Sequence, residues 1–163
     1  MRVPTLYLAG AIRDSHPEDI EWRERLIALI GDRATILNPL AGKGAPPQWT
    51  LHGLRQPDAK FIVAHDFWAI DRADLVVFNF SSLSEGYPSI GTLCEFGRAT
   101  GTKALLYSII DPEYLGHENL TVFHLHPFLE QNSSVVFHSF QEAAAFLLKH
   151  LDVLSGRTPH HAG

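Results

Sequence analysis

One glutamate, Glu95, stands where a protein can use a carboxylate as a nucleophile. It follows an apolar run over residues 75–80 and a stretch rich in turn-forming residues over 81–90. This pattern predicts a buried strand, a loop at the carboxyl edge of a sheet and a helix with Glu95 in its opening turns. The positive end of a helix dipole favours an ionised carboxylate. Glu95 is therefore a candidate nucleophile, and the simpler interpretation is a glutamate that stabilises its own helix.

A second carboxylate is needed to move protons at such a site, and the region of the predicted second helix offers Asp66, Asp71 and Asp74. Asp66 is nearest to the carboxyl edge of the sheet, because this helix runs antiparallel to the strands. It also stands among apolar residues, where a carboxylate is costly unless it has a partner or a function. We therefore favour Asp66 and interpret Asp71 as part of a solvated face or a cap. Tyr7, at the end of the predicted first strand, is suited to hydrogen-bond a nearby carboxylate, and a place at the core boundary is its alternative.

Predicted strands and helices alternate along the chain. The strands cover residues 5–9, 34–37, 75–80, 103–109 and 135–138. The first helix opens at a capping box of Ser15 and Glu18 and stops at Gly31, and the later helices cover 58–72, 91–100 and 140–154. Two long connections, 38–56 and 111–131, are predicted as loops, the first of them a binding loop.

This alternation predicts an α/β fold with a single doubly wound, five-stranded parallel sheet in a flavodoxin-like or Rossmann-like arrangement. That order brings the carboxyl ends of the first and third strands together. The corner at residues 7–10 and the loop at 79–91 then face one ligand, with Glu95 beside it. A chain of 163 residues suits one domain, which we expect over residues 1–154, followed by a disordered tail over 155–163.

Composition argues against several classes of protein. The net charge is −5 and the Lys and Arg residues form no basic stripe, so neither nucleic acid nor an anionic membrane is an expected partner. No signal peptide or membrane span is visible, and we expect a cytoplasmic protein. Cys94, the one cysteine, has apolar neighbours in Leu93 and Phe96, and we expect it to be buried. The ten histidines lack zinc-site spacing, so no metal site is predicted.

Five segments carry a family resemblance. They are YLAGAI at 7–12, WR at 22–23, NPL at 38–40, DFWAIDRADLVV at 66–77 and SIGTLCEFGRA at 89–99. In this order and spacing the chain resembles the nucleoside 2-deoxyribosyltransferases, which share a superfamily with the 2-deoxynucleoside 5-monophosphate N-glycosidases. The resemblance implies that Glu95 is the nucleophile, that Asp66 is the supporting aspartate and that Tyr7 orients the nucleophile.

The resemblance also implies a reaction and its partners. A 2-deoxyribonucleoside and a free nucleobase would exchange bases by a retaining double displacement through a covalent glycosyl-enzyme intermediate, in a homo-oligomer that needs no cofactor. The implied substrate-binding residues are Gly10, Ala11, Ile12, Ser89, Gly91 and Asn119. The two glycines would let the ligand approach the backbone closely. Asn119 or His126 would complete the pocket of a neighbouring subunit, or be ordinary polar residues of a loop.

Ser89 leaves the substrate open. Many transferases have an aspartate six residues before the nucleophile, whereas some monophosphate hydrolases have a serine, which can bond a phosphate or a hydroxyl. Hydrolysis of 2-deoxynucleoside 5-monophosphates is therefore the main alternative, and we favour transfer because no basic cluster suited to a 5-phosphate is visible.

Two further alternatives concern the same segment. Gly91, Thr92 and Glu95 match the Gly-Thr-x-x-Glu signature of the phosphoribohydrolases that release cytokinin bases, but Ser89 and Ile90 replace the paired glycines of that family. A non-catalytic nucleotide sensor on the same fold is the other alternative, because a fold does not fix a function.

Overall fold

The computed structural model describes residues 2–13, 16–40, 56–87, 89–111 and 126–157. Its strands are β1 (Thr5–Gly10), β2 (Thr35–Leu37), β3 (Leu75–Asn79), β4 (Leu105–Ile109) and β5 (Val135–Phe137). Its α-helices are α1 (Glu18–Ile30), α2 (Gln56–Ile70), α3 (Ile90–Ala99), α4 (Pro127–Asn132) and α5 (Phe140–Leu154). Short 3-10 helices cover Gly31–Arg33 and Ser81–Glu85.

The five strands form one parallel sheet in the order β2-β1-β3-β4-β5. This is the predicted flavodoxin-like order, so the doubly wound α/β prediction is confirmed. The two central strands end in register, with Gly10 opposite Asn79. The chain leaves β1 towards one edge of the sheet and later returns to the other side of β1 as β3. The carboxyl ends of β1 and β3 therefore border the crevice in which proteins of this class bind ligands.

The sheet separates two apolar layers because successive strand side chains point to opposite faces. Leu6 and Leu8 of β1 belong to the layer that α1 and α5 cover. Tyr7 and Ala9 belong to the opposite layer, which α2, α3 and α4 cover. Tyr7 therefore shares a layer with the helices that carry Asp66 and Glu95.

Helix α4 lies within a segment that the sequence predicted to be a loop. Pro127 occupies its first turn, and His126 is the N-cap, with its Nδ1 accepting a hydrogen bond from the Phe128 amide at 3.3 Å. A helix of six residues makes fewer than two turns, so it shows too little apolar periodicity to be recognised in a sequence.

The described residues test the predicted capping box of α1 only in part. Pro17 is the N-cap and makes no side-chain capping bond, while Glu18 Oε1 lies 2.6 Å from Nδ1 of His16. Ser15 lies outside the described residues.

Cys94 is exposed, so its predicted burial is also wrong. Helix α3 buries Thr92, Phe96 and Ala99, which recur at helical spacing. Cys94 lies between two of them in sequence and therefore on a different face of the helix.

Parts of other predictions fall on residues that the structure does not describe. These are 41–55 of the predicted binding loop, 112–125 of the second loop, which include Asn119, and 158–163 of the predicted tail. The start of that tail is described. Ser155 donates to the Leu151 carbonyl at 2.6 Å, and Arg157 pairs with Asp32 at 3.0 Å. Within the described ranges, none of the helices combines the length and the apolar character needed to cross a bilayer.

Candidate active site

Tyr7 and Glu95 form the centre of the candidate active site. Tyr7 lies in β1 and is fully buried, while Glu95 lies in the second turn of α3 and is half-buried. The Tyr7 hydroxyl donates a hydrogen bond to Glu95 Oε1 at 2.6 Å. A bond of this length to a carboxylate is charge-assisted and stronger than a bond between neutral groups. The sheet thus holds the Glu95 carboxylate in one orientation.

Tyr7 is a hydrogen-bond donor rather than an acid in this arrangement. Burial raises the pKa of its hydroxyl far above the ordinary value, and the charges of Glu95 and Asp66 raise it further. The phenol therefore keeps its proton throughout the physiological pH range.

Asp66 supplies a second acid on the same side of the sheet. It lies on α2 and is 9% exposed, in agreement with the burial expected from its apolar neighbours. Its Oδ1 lies 3.1 Å from Nδ1 of His65. Its charge acts on Tyr7, so Asp66 and Glu95 influence the same phenol. Within the described ranges, no three His, Cys, Asp or Glu side chains are grouped to hold a metal ion.

A surface ion pair links the helices that carry the two acids. Asp71, near the end of α2, accepts two hydrogen bonds from Arg98 of α3, at 2.8 and 2.6 Å. Asp71 is exposed, which confirms its interpretation as a residue of the solvated face.

Arg23 is a component of the site to which the sequence reasoning gave no role. It is completely buried, and its guanidinium donates to the backbone carbonyls of Leu8 at 3.4 Å, Gly10 at 2.8 Å and Ala11 at 3.3 Å. It also donates to the carbonyl of Asp19, one turn earlier in α1. These bonds fix the corner at which β1 ends.

The charge of Arg23 interacts with the charge of Glu95. Burial lowers the pKa of Arg23 to about 10, and the charge of Glu95 is the strongest of the effects that oppose this shift. The guanidinium therefore remains protonated near neutral pH. A signal for Arg23 existed in the sequence, because Trp22, Arg23, Leu26 and Ile30 share one helical stripe and all are buried.

The absence of a side chain at Gly10 has a packing reason. A Cβ there would lie 3.1 Å from Trp22 Cζ2, 3.2 Å from Arg23 Nη2 and 3.3 Å from Asn79 Cβ. Side chains of the protein thus approach the Gly10 backbone closely, and a close approach of a ligand to Gly10 stays a prediction. A Cβ at Gly91 would meet no described atom within 4 Å, so the space that a ligand would need is open there.

Other predicted binding residues surround the same edge. Ala11 is buried and Ile12 is half-buried directly after β1. Ser89 is the N-cap of α3, and its Oγ lies 2.8 Å from Thr92 Oγ1. His126 is exposed and stacks on Phe128 with ring centroids 5.7 Å apart.

Arg13 follows the predicted binding segment and was missed by the sequence reasoning. It pairs with Asp19 through two bonds of 2.7 and 2.9 Å, and its guanidinium lies 5.1 Å from the ring centroid of Tyr87. Asp19 is only 6% exposed, so this pair is largely removed from solvent.

Comparison with protein-family models and with curated proteins finds no match. Solved structures do match. A 2-deoxyribosyltransferase from Bacillus psychrosaccharolyticus aligns with a TM-score of 0.66 and 14% identity, over 90% of this chain and 95% of that one. A 2-deoxyribosyltransferase from Leishmania mexicana aligns with a TM-score of 0.59 and 21% identity, over 90% and 98%. A CMP N-glycosidase from Clostridium botulinum aligns with a TM-score of 0.51 and 18% identity, over 88% and 97%.

These alignments span nearly the whole of each protein. The chain therefore has the fold of two 2-deoxyribosyltransferases and a CMP N-glycosidase.

Proposed function

We propose that the protein is a nucleoside 2-deoxyribosyltransferase that exchanges the base of 2-deoxyribonucleosides through a covalent glycosyl-enzyme intermediate. The hydrogen bond from Tyr7 to Glu95 carries this proposal. It orients a carboxylate beside the carboxyl end of β1, with the second acid, Asp66, acting on the same tyrosine. The fold, shared with two 2-deoxyribosyltransferases, supports the same conclusion.

In the first step, a carboxylate oxygen of Glu95 attacks the anomeric carbon of the sugar from the face opposite the base. The new C–O bond forms as the C–N bond to the base breaks. The electron pair of the broken bond stays on the base nitrogen, which takes up a proton that the Asp66 carboxylate relays from water. Positive charge develops on the sugar in an oxocarbenium-like transition state, and the adjacent carboxylate stabilises it. Deoxyribose eases this step, because it lacks the electron-withdrawing 2-hydroxyl.

In the second step, a nitrogen of the incoming base attacks the anomeric carbon and displaces Glu95. The Asp66 carboxylate accepts the proton lost from that nitrogen and passes it to water, so the enzyme ends the cycle in its starting state. Two inversions at the same carbon give net retention. Tyr7 holds Glu95 through Oε1 in both steps and stays neutral, because its raised pKa makes it retain its own proton.

The alternative function is hydrolysis of 2-deoxynucleoside 5-monophosphates, with water as the acceptor. The CMP N-glycosidase neighbour supports it, and so does Ser89, whose hydroxyl lies at the start of α3. The pairing of Arg13 with Asp19 favours an uncharged nucleoside instead. A phosphate approaching Arg13 would compete with a carboxylate that already holds two of its N–H groups.

An exchange assay tests the proposal. The purified protein is incubated with 2-deoxyinosine or thymidine, with and without adenine, and products are separated by chromatography. New deoxyadenosine that forms only when adenine is present supports transfer. Base release without an acceptor means hydrolysis, and conversion of deoxynucleoside monophosphates alone means the alternative function. Binding without any turnover means a sensor. Glu95→Gln is the matched control, since it preserves size and removes the charge.

A further inference from the structure

Arg23 reaches the candidate active site from the opposite layer of the fold. It lies on α1, which covers the Leu8 face of β1, whereas Tyr7 points to the other face. Its guanidinium crosses the carboxyl end of β1 by donating to the carbonyls of Leu8, Gly10 and Ala11. A positive charge is thus buried beneath the edge at which the substrate would bind.

A fully buried cation requires compensation by negative charge, because desolvation of an ion is costly. The backbone carbonyls satisfy the N–H groups of Arg23 but carry no net charge. Glu95, Asp19 and Asp66 are the carboxylates that act on Arg23, and Glu95 acts most strongly. The carboxylate of Asp19 is already paired with Arg13 through two bonds. The guanidinium bonds the carbonyl of Gly10, three residues after Tyr7 on β1, and the Tyr7 hydroxyl holds Glu95, so Glu95 is positioned to act as a counter-charge of Arg23.

The helix dipole explains less than the sequence suggested. Glu95 stands in the second turn of α3, and the dipole effect falls off within the first turn of a helix. Arg23 supplies a full charge instead of a partial one. In the part of the chain that the structure describes, the ionisable groups on elements packed around Glu95 include Tyr7 on β1, Asp66 and His65 on α2, and Arg98 on α3 itself, which is paired with Asp71.

We propose that Arg23 is a positioning residue of the glycosyl-transfer site, which fixes the corner at Gly10 and Ala11 through its hydrogen bonds and keeps Glu95 ionised through its charge. The proposal rests on the proposed role of Glu95 as the nucleophile. The two halves of the proposal are separable, because one variant can remove the fork of hydrogen bonds and keep the charge, while another removes both.

The test compares Arg23→Lys, Arg23→Met and Leu26→Ala. Arg23→Lys keeps a positive charge and loses the planar set of five donors. Arg23→Met keeps most of the length of the side chain and removes the charge. Leu26→Ala is the matched control, since Leu26 is buried on the same helix and carries no charge. Any effect of weakened packing alone appears in all three variants.

The readouts are the pH profile of kcat/KM and the titration of Glu95 followed by carboxyl-carbon NMR, with Glu95→Gln used for assignment. In Arg23→Met we expect the acidic limb and the Glu95 titration to move up by about one pH unit or more, as for a carboxylate that loses a nearby cation. In Arg23→Lys both stay near their wild-type positions, while kcat falls roughly tenfold with KM little changed, because the corner is less well fixed. Leu26→Ala leaves the acidic limb, the Glu95 titration and kcat unchanged at temperatures where the variant is folded.

An unmoved Glu95 titration in Arg23→Met overturns the proposal, as does an equal shift in Leu26→Ala. If Arg23→Met does not fold, Glu95→Gln provides the reciprocal test. Glutamine can still accept the Tyr7 hydrogen bond, so a lower melting temperature than wild type at pH 7, converging at acidic pH, reports the lost charge. Equal melting temperatures at every pH overturn the proposal.

If wild type turns over neither nucleosides nor monophosphates, the proposed function fails, and the NMR titration still tests Arg23.

Discussion

The Tyr7 hydroxyl and the Glu95 carboxylate meet at 2.6 Å, although 88 positions separate the two residues in the sequence. Tyr7 belongs to a central strand and Glu95 to the helix that follows the neighbouring strand, so only the assembled sheet brings them together. Because the tyrosine keeps its proton, the bond has one polarity and the carboxylate is always the acceptor. A nucleophile held in this way needs little reorganisation before it attacks.

Tyr7→Phe removes this bond and leaves the ring. A hydrogen bond to a charged group contributes about 1.5–3 kcal/mol, so we expect kcat to fall roughly 10- to 100-fold, with KM little changed. Steady-state kinetics of base exchange measure the effect. Tyr107→Phe is the control, since Tyr107 is another buried tyrosine, and its hydroxyl contacts His150 rather than the site. An unchanged kcat in Tyr7→Phe would contradict the orienting role.

Asp66→Asn tests the role of the second acid in proton transfer. The amide keeps the shape of the side chain and cannot exchange a proton with the leaving base, so we expect kcat to fall by roughly 10²–10⁴-fold. Residual exchange should exceed that of Glu95→Gln, because the nucleophile is intact. Asp71→Asn, at the exposed residue that directly follows the same helix, should leave kcat nearly unchanged. Similar losses in the two variants would assign Asp66 a structural role.

The sequence sufficed for the features that depend on repeated patterns. The run at 75–80 is apolar throughout because β3 is buried on both faces, and the alternation of strands with helices leaves few topologies. Tyr7 and Glu95 followed from that topology, since it determines which strand ends meet. The sequence did not predict the features that depend on a single residue or on one short turn.

Arg23 and Cys94 illustrate why. The stripe of Trp22, Leu26 and Ile30 includes Arg23, but a charged residue on a helix is usually exposed, and only the carbonyls at the end of β1 explain how Arg23 can be buried. Cys94 was judged by its neighbours in sequence, yet neighbours along a helix point in different directions. Both outcomes depend on tertiary contacts, which a local window of sequence does not contain.

Gly10→Ala should damage both stability and activity. The added Cβ would lie 3.1–3.3 Å from side-chain atoms of Trp22, Arg23 and Asn79, so one of them must shift. Overpacking of this kind costs about 1–3 kcal/mol, which denaturant titration can measure together with kcat. Gly97→Ala is the control, because a Cβ there would meet no described atom within 4 Å, and alanine should stabilise α3 by about 0.5–1 kcal/mol. A stable and fully active Gly10→Ala protein would refute the packing argument.

The two buried tyrosines predict a loss of stability in alkali. Burial raises the pKa of Tyr7 above its ordinary value and that of Tyr107 to about 12. Tyrosines in the unfolded chain lose their protons near pH 10 while these two keep theirs, so the unfolded state binds fewer protons and the free energy of unfolding falls as the pH rises above about 10. Urea titrations between about pH 8 and 11 should show a shallower decline for Tyr7→Phe and Tyr107→Phe than for wild type. Parallel curves would contradict this assignment.

The central claim is that Glu95 forms a bond to the sugar, and the most direct measurement is to isolate that bond. A 2-deoxy-2-fluoro nucleoside slows both steps, because fluorine destabilises the oxocarbenium-like transition states. No acceptor base is added, so that the intermediate accumulates. After rapid denaturation, mass spectrometry of the whole protein and of its peptides locates the modification. The account predicts one fluorodeoxyribosyl group on Glu95 in the wild-type protein and none in Glu95→Gln. Modification of another residue, or base exchange that persists in Glu95→Gln, would contradict it.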